Sequence, residues 1–132
     1  MRVAVCQFAI TENVEENLAT TLRMIKSAAQ CNPEVLILPE LCNAHSWYSD
    51  HNQAWQSALS IESDFLENIA SEARNHQCFI SLSVSLRRDL TREQQHSSVK
   101  SNLSITTLLF SPAGQIIATA DKQHLLGFEK DF

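Results

Sequence analysis

The chain has 132 residues, 44% of them hydrophobic, with two glycines, three prolines and a net charge of -5. This composition excludes disordered and linker-rich classes and fits one globular domain over residues 1–132. The acidic balance argues against a nucleic-acid partner, which requires clustered Lys and Arg; the one adjacent basic pair, Arg87 and Arg88, is followed by Asp89.

The opening MRVAVCQFAI is too short in its apolar stretch for a signal peptide or a membrane span, so a cytoplasmic protein is expected. Cys6, Cys31, Cys42 and Cys78 lack CxxC spacing and should remain thiols in such a compartment. Val3 to Phe8 suits a short strand buried on both faces. Asn13 with Glu16 reads as a helix cap and capping box, and Val14, Leu18, Leu22, Ile25 and Ala29 recur at helical spacing to about Gln30. Pro33 ends that segment, and Val35 to Leu38 reads as a second strand, also covered on both faces, completing a strand–helix–strand unit.

An aromatic and polar stretch follows, with His45, Trp47, Tyr48, His51 and Trp55. A second amphipathic helix starts near Ser63, with Phe65, Leu66, Ile69, Ala70 and Ala73 on its buried side. Strict alternation from Cys78 to Leu86 predicts a strand with Ile80, Leu82, Val84 and Leu86 on one face and Ser81, Ser83 and Ser85 on the other. RRDLTREQQHSSVKS reads as a solvated loop. The end is a hairpin, Leu103 to Phe110 and Gln115 to about Lys122, around the turn SPAG. The fold class is α/β.

Two residues stand where chemistry could occur. Ligands of open α/β sheets sit beyond the carboxyl ends of the strands, and Glu40 lies there, its direction set by the stiffness of Pro39. A solvated strand-end carboxylate is the alternative. Alternation from Gln115 places Ile116, Ala118, Ala120 and Lys122 on one face, so the amine shares a side with small apolar residues. It could snorkel at the strand end, or stabilise a developing oxyanion in a cleft. Cys42 with His45, or His45 with His51, falls short of a zinc ligand set, so no metal or cofactor is expected. Trp47, Tyr48 and Trp55 could border a substrate pocket or simply pack under a loop.

The segments VAVCQF, EVLILPELCNA and SNLSITTLLFSPAGQIIATADKQHLL together resemble the N-terminal half of the nitrilase superfamily, the carbon-nitrogen hydrolases. The resemblance implies a partial four-layer α-β-β-α sandwich of the nitrilase type that lacks its C-terminal half. It further implies Glu40 as general base, Lys122 as oxyanion stabiliser and, through LLGFEKDF, Glu129 as a supporting carboxylate. The family's nucleophilic cysteine lies well after the lysine, and no cysteine of this chain occupies that place. The expected activity is therefore that of a complete amidase-type enzyme acting on a small non-peptide amide, and the complete enzyme is expected to be a homo-oligomer. A nitrile or carbamoyl substrate is a lesser expectation. This chain alone is expected to be inactive. The alternative is a non-catalytic, truncated product acting as an interaction module through its sheet edge.

Overall fold

The computed structural model describes residues 1–45, 47–88, 102–127 and 129. Five strands, β1 (Val3–Val5), β2 (Val35–Ile37), β3 (Phe79–Arg88), β4 (Asn102–Phe110) and β5 (Ile116–Asp121), form one sheet in that spatial order. The first three run parallel, joined by crossovers through α1 (Val14–Ala29) and then α2 (His51–Ser57) and α3 (Asp64–His76). The last three form an antiparallel meander. Most of the polar stretch expected as a loop, residues 89–101, lies outside the described residues.

Local chemistry sets the helix ends. Asn13 caps α1, its side-chain oxygen accepting from the backbone N–H of Glu15 at 2.9 Å and of Glu16 at 3.1 Å. The reciprocal half of the expected capping box is taken by another residue: Thr11, not Glu16, accepts the Asn13 N–H, at 3.2 Å. At the far end of α3, Gln77 turns left-handed (φ 51), which stops the helix and feeds the chain into β3. The α2 turn was not expected from sequence, since seven residues are too few to show an apolar period.

Helices α1 and α3 pack side by side on one face of the sheet. Ile25 and Ile69 from the helices meet Leu36, Ile80, Leu82, Leu108 and Phe110 from the strands, all of them essentially without solvent contact. Each such side chain contributes roughly 1.5–3 kcal/mol of burial free energy. The opposite face is different. Val3, Val5 and Ile37 are 43%, 74% and 38% exposed, so β1 and β2 are covered on one side only, contrary to the expectation of two buried faces. One helix layer and one sheet layer are present, half of the expected four-layer sandwich.

The hairpin departs from simple alternation. Phe110 pairs with Ile116 but Leu109 pairs with Ala118, so Ile117 is an extra residue in β5. Ile116 therefore faces the helices beside Phe110, whereas Ala118 and Ala120 face the other way. The predicted common face holds only from Ala118 onward. At the tip, Gly114 has φ +74, and a Cβ there would come within 2.7 Å of the Ala70 carbonyl oxygen, so glycine is required both by the turn and by its contact with α3.

All four cysteines are free thiols. Among the described residues, no helix is long and apolar enough to cross a membrane.

Replacing Asn13 by Ala should lower stability by about 1 kcal/mol and Tm by roughly 4 °C, measured by denaturant titration and thermal melting.

Candidate active site

Glu40 owes its position to a mismatch between two lengths of chain. The N–H of Leu38 bonds to the Ser81 carbonyl and the N–H of Cys42 to the Ser83 carbonyl, each at 2.8 Å. Four residues of this segment thus span the distance that two residues span on β3, and Pro39, Glu40 and Leu41 must arch away from the sheet. Leu41 closes the arch with φ 56, a left-handed backbone that costs a leucine of order 1 kcal/mol. Its side chain is nevertheless buried, which offsets that strain.

Lys122 follows β5 directly, and its N–H bonds to the Ile105 carbonyl at 2.8 Å, extending the ladder by one residue. Strands β2 and β5 point the same way, so Glu40 and Lys122 sit at the same end of the sheet with β3 and β4 between them. The two side chains meet across those strands: Lys122 Nζ lies 2.8 Å from Glu40 Oε1. It also lies 3.1 Å from Glu129 Oε1, and Glu129 Oε2 accepts the Leu126 N–H at 2.7 Å. The structure brings all three sequence-singled residues together.

The three side chains differ in solvent contact. Glu40 is 53% exposed, Lys122 25% and Glu129 only 4%. Glu129 is thus a buried carboxylate met by the amine and one backbone N–H, while Glu40 stands half in solvent. The hydrogen bond from Glu40 chiefly, then that from Glu129, raise the Lys122 pKa above 10.5 against the opposing effect of burial, so the amine is a fixed cation at neutral pH. Two carboxylates and one ammonium leave the cluster with a formal charge of one negative unit.

The space between them is a hollow of about 410 Å³ on the face away from the helices. Ser81, Ser83, Thr107 and Ala120 form much of its floor, and their small size leaves the room. None of the aromatic candidates lines it. Trp55 lies under the Arg87 guanidinium, 5.1 Å from it, and Tyr48 stacks on His45 at 5.7 Å.

No cysteine stands at this cluster as a thiolate. Cys42 is nearest in sequence, but its thiol is buried, lies 3.0 Å from the Pro39 carbonyl and is pushed up to about 12 by burial. Cys6 and Cys78 are buried, with their pKa values also raised by burial. Cys31 follows α1 near the start of β2, the end of the sheet opposite Glu40. Among the described residues, no three His, Cys, Asp or Glu side chains converge to hold a metal ion.

Sequence reasoning missed two polar clusters beside the site. Fully buried Asn17 and Asn43 link α1, the segment after Glu40 and β3. On the helix-facing side, Asp121 accepts from Arg88 and from the Thr106 hydroxyl, fixing the end of β5 just before Lys122. The first had a trace in the sequence, since Asn17 and Thr21 fall on the row that ends in Ile25 and Ala29; the second had none.

The carbon-nitrogen hydrolase family profile matches residues 2–131. Comparison with curated proteins gives no match. Among solved structures, the C. elegans NitFhit protein superposes with a TM-score of 0.73 at 24% identity, over 94% of this chain and 28% of that one. An N-terminal amidase gives 0.79 at 18% identity, over 99% of this chain and 30% of that one. The N-terminal amidase with an Asn-Glu-Ala peptide gives 0.77 at 17% identity, over 100% and 30%. The chain thus spans about 30% of the length of the structures it matches, and the shared fold is of the nitrilase type. With a family match over almost its whole length, the chain belongs to the carbon-nitrogen hydrolases.

Proposed function

We propose that this chain supplies the base and the cation of an amidase-type site that hydrolyses a small non-peptide amide through a Cys-Glu-Lys triad, the thiol coming from residues other than its four cysteines. The observation that carries this reading is the shared contact of Lys122 with Glu40 and Glu129, at 2.8 and 3.1 Å, beside an open hollow. Similarity to the N-terminal amidase structures supports an amide over a nitrile or carbamoyl substrate.

In this reading Glu40 takes the proton of the nucleophilic thiol, and the thiolate attacks the amide carbonyl to give a tetrahedral intermediate. The Lys122 ammonium stabilises the oxyanion, a role suited to an amine that is never free base near neutral pH. Glu40 then returns the proton to the departing nitrogen, leaving a thioester. A water molecule, deprotonated by the same carboxylate, releases the acid and regenerates the thiol. Glu129 holds the amine in place from behind. The non-catalytic interaction-module reading draws on the exposed apolar face of β1 and β2, but it gives no reason for a carboxylate–amine–carboxylate cluster.

Residues 1–132 alone should show no hydrolysis of small primary amides in an ammonia-release assay; turnover that disappears in Glu40→Gln would place the nucleophile within this chain. In a full-length enzyme carrying this segment, Glu40→Gln should reduce kcat roughly 10²–10⁴-fold. Lys122→Met should reduce it at least about 10²-fold. Lys122→Met also strands the buried Glu129 charge, so it should lower stability, and adding Glu129→Gln should restore stability without restoring turnover, read by melting and kinetics together. Because the folded-state pKa of Lys122 is raised, its charge contributes stability that is complete below pH 10.5 and lost as pH climbs through the raised value. Stability measured between pH 9 and 12 should therefore fall more steeply in the parent chain than in Glu40→Gln (pH range about that of lysine titration).

A further inference from the structure

We propose that Asn43 is the positioning residue for Glu40: its amide acts as a substitute strand that fastens the downstream foot of the arch to β3. A catalytic meaning for this fastening rests on reading Glu40 as the base, but the fastening itself does not.

The geometry is specific. Strand β2 ends at Ile37, leaving the edge of β3 beyond Ser83 without a strand to pair with until Leu59 bridges to Leu86. Asn43 fills that gap. Its side-chain oxygen accepts the Ser85 N–H at 2.9 Å, and its Nδ2 donates to the Ser57 carbonyl at 2.8 Å. Its own carbonyl accepts from Asn17 Nδ2, also at 2.8 Å. Asn43 has no solvent contact, so a side chain that could not make these bonds would leave the Ser85 N–H and the Ser57 carbonyl unpaired in the interior.

The arch needs such a fastening. Leu41 is held left-handed, and a strained backbone persists only where its surroundings over-determine it. Upstream, the Leu38 bond to Ser81 and the stiffness of Pro39 fix one foot. Downstream, the other foot is the Cys42 N–H bond to Ser83, and Asn43 is the next residue. If Asn43 lets go, the arch can relax toward an ordinary extended path and carry Glu40 away from Lys122.

Lys122 reports this without any need for turnover, because Glu40 is the chief cause of its raised pKa. Among the described residues, the other charged groups near the amine, Glu129 and the neighbouring Asp121 with its partner Arg88, make no hydrogen bond to Asn43. The experiment is titration of the Lys122 side-chain NMR signals in the parent chain, in Asn43→Ala and in Asn43→Ser, assigned by their loss in Lys122→Arg. Glu40→Gln sets the full effect, and the core truncation Ile69→Val serves as a control for general destabilisation. Asn43→Ala should lower the Lys122 pKa by at least half of the Glu40→Gln effect, Asn43→Ser should do so to a similar or lesser extent, and Ile69→Val should leave it unchanged. A folded Asn43→Ala that retains the parent titration overturns the proposal. Should neither Asn43 variant fold, native-state hydrogen exchange of the parent chain decides: the Cys42 and Ser85 amides should open in one event. Exchange of Cys42 orders of magnitude faster than Ser85 would mean that the arch opens while the Asn43 bond holds, which also overturns it.

Discussion

The contact between one ammonium and two carboxylates organises this site, and its constraint is distance. Glu40 and Lys122 leave strands that are not neighbours, so two further strands must pass beneath the pair without blocking it. Serine, threonine and alanine do most of this on the face away from the helices, with Ile37 and Ile105 at the sides of the hollow. The same strands carry isoleucine, leucine and valine on the face toward the helices, where volume is needed to fill the core. One alternation in β3 therefore serves both purposes: Ile80, Leu82 and Val84 build the interior while Ser81 and Ser83 keep the hollow open.

The charges are graded by burial. Glu129, almost out of solvent, is fixed by two donors and cannot easily leave the amine. Glu40, half in water, meets the cluster through the amine and keeps the rest of its carboxylate open to the hollow. A surface ion pair of that kind contributes little to stability, about 1 kcal/mol or less. Its value lies in holding the amine charged and the carboxylate aimed. The proposed division of labour, a supporting Glu129 and a reacting Glu40, follows this gradient of burial.

Much of this was legible in the chain itself. The period of α1 and α3, the alternation of β3 and the turn residues of SPAG each encode a local preference that tertiary packing did not override. Glu40 and Lys122 stood out locally, as a carboxylate after a proline-stiffened strand and a lysine among alanines, but the local reading left solvated alternatives open, and their pairing with Glu129 entered through the resemblance to the carbon-nitrogen hydrolases. Coverage of β1 and β2 was misread, since a run of aliphatic residues looks the same whether its second face is filled or open. The left-handed Leu41 and the buried bonds of Asn43 were invisible for another reason: they follow from the mismatch between segments distant in sequence, which no local window contains.

The extra residue in β5 has a consequence for which side of the sheet carries which charge. Counted from the Phe110–Ile116 pair, a regular hairpin of the same length would bring Asp121 opposite Ile105 and turn it into the hollow, while Lys122 swung under toward α1 and α3. The bulge works as a parity switch, exchanging acid for amine at the mouth of the cleft. Loss of Ile117 itself would be neutral in this respect, because Ile116 and Ala118 would then alternate as ordinary neighbours. What must be kept is the count of steps from Ala118 to Lys122: one extra residue would turn the amine to the helix face, and two would keep its face but carry it about 6.6 Å along the strand, out of reach of Glu40.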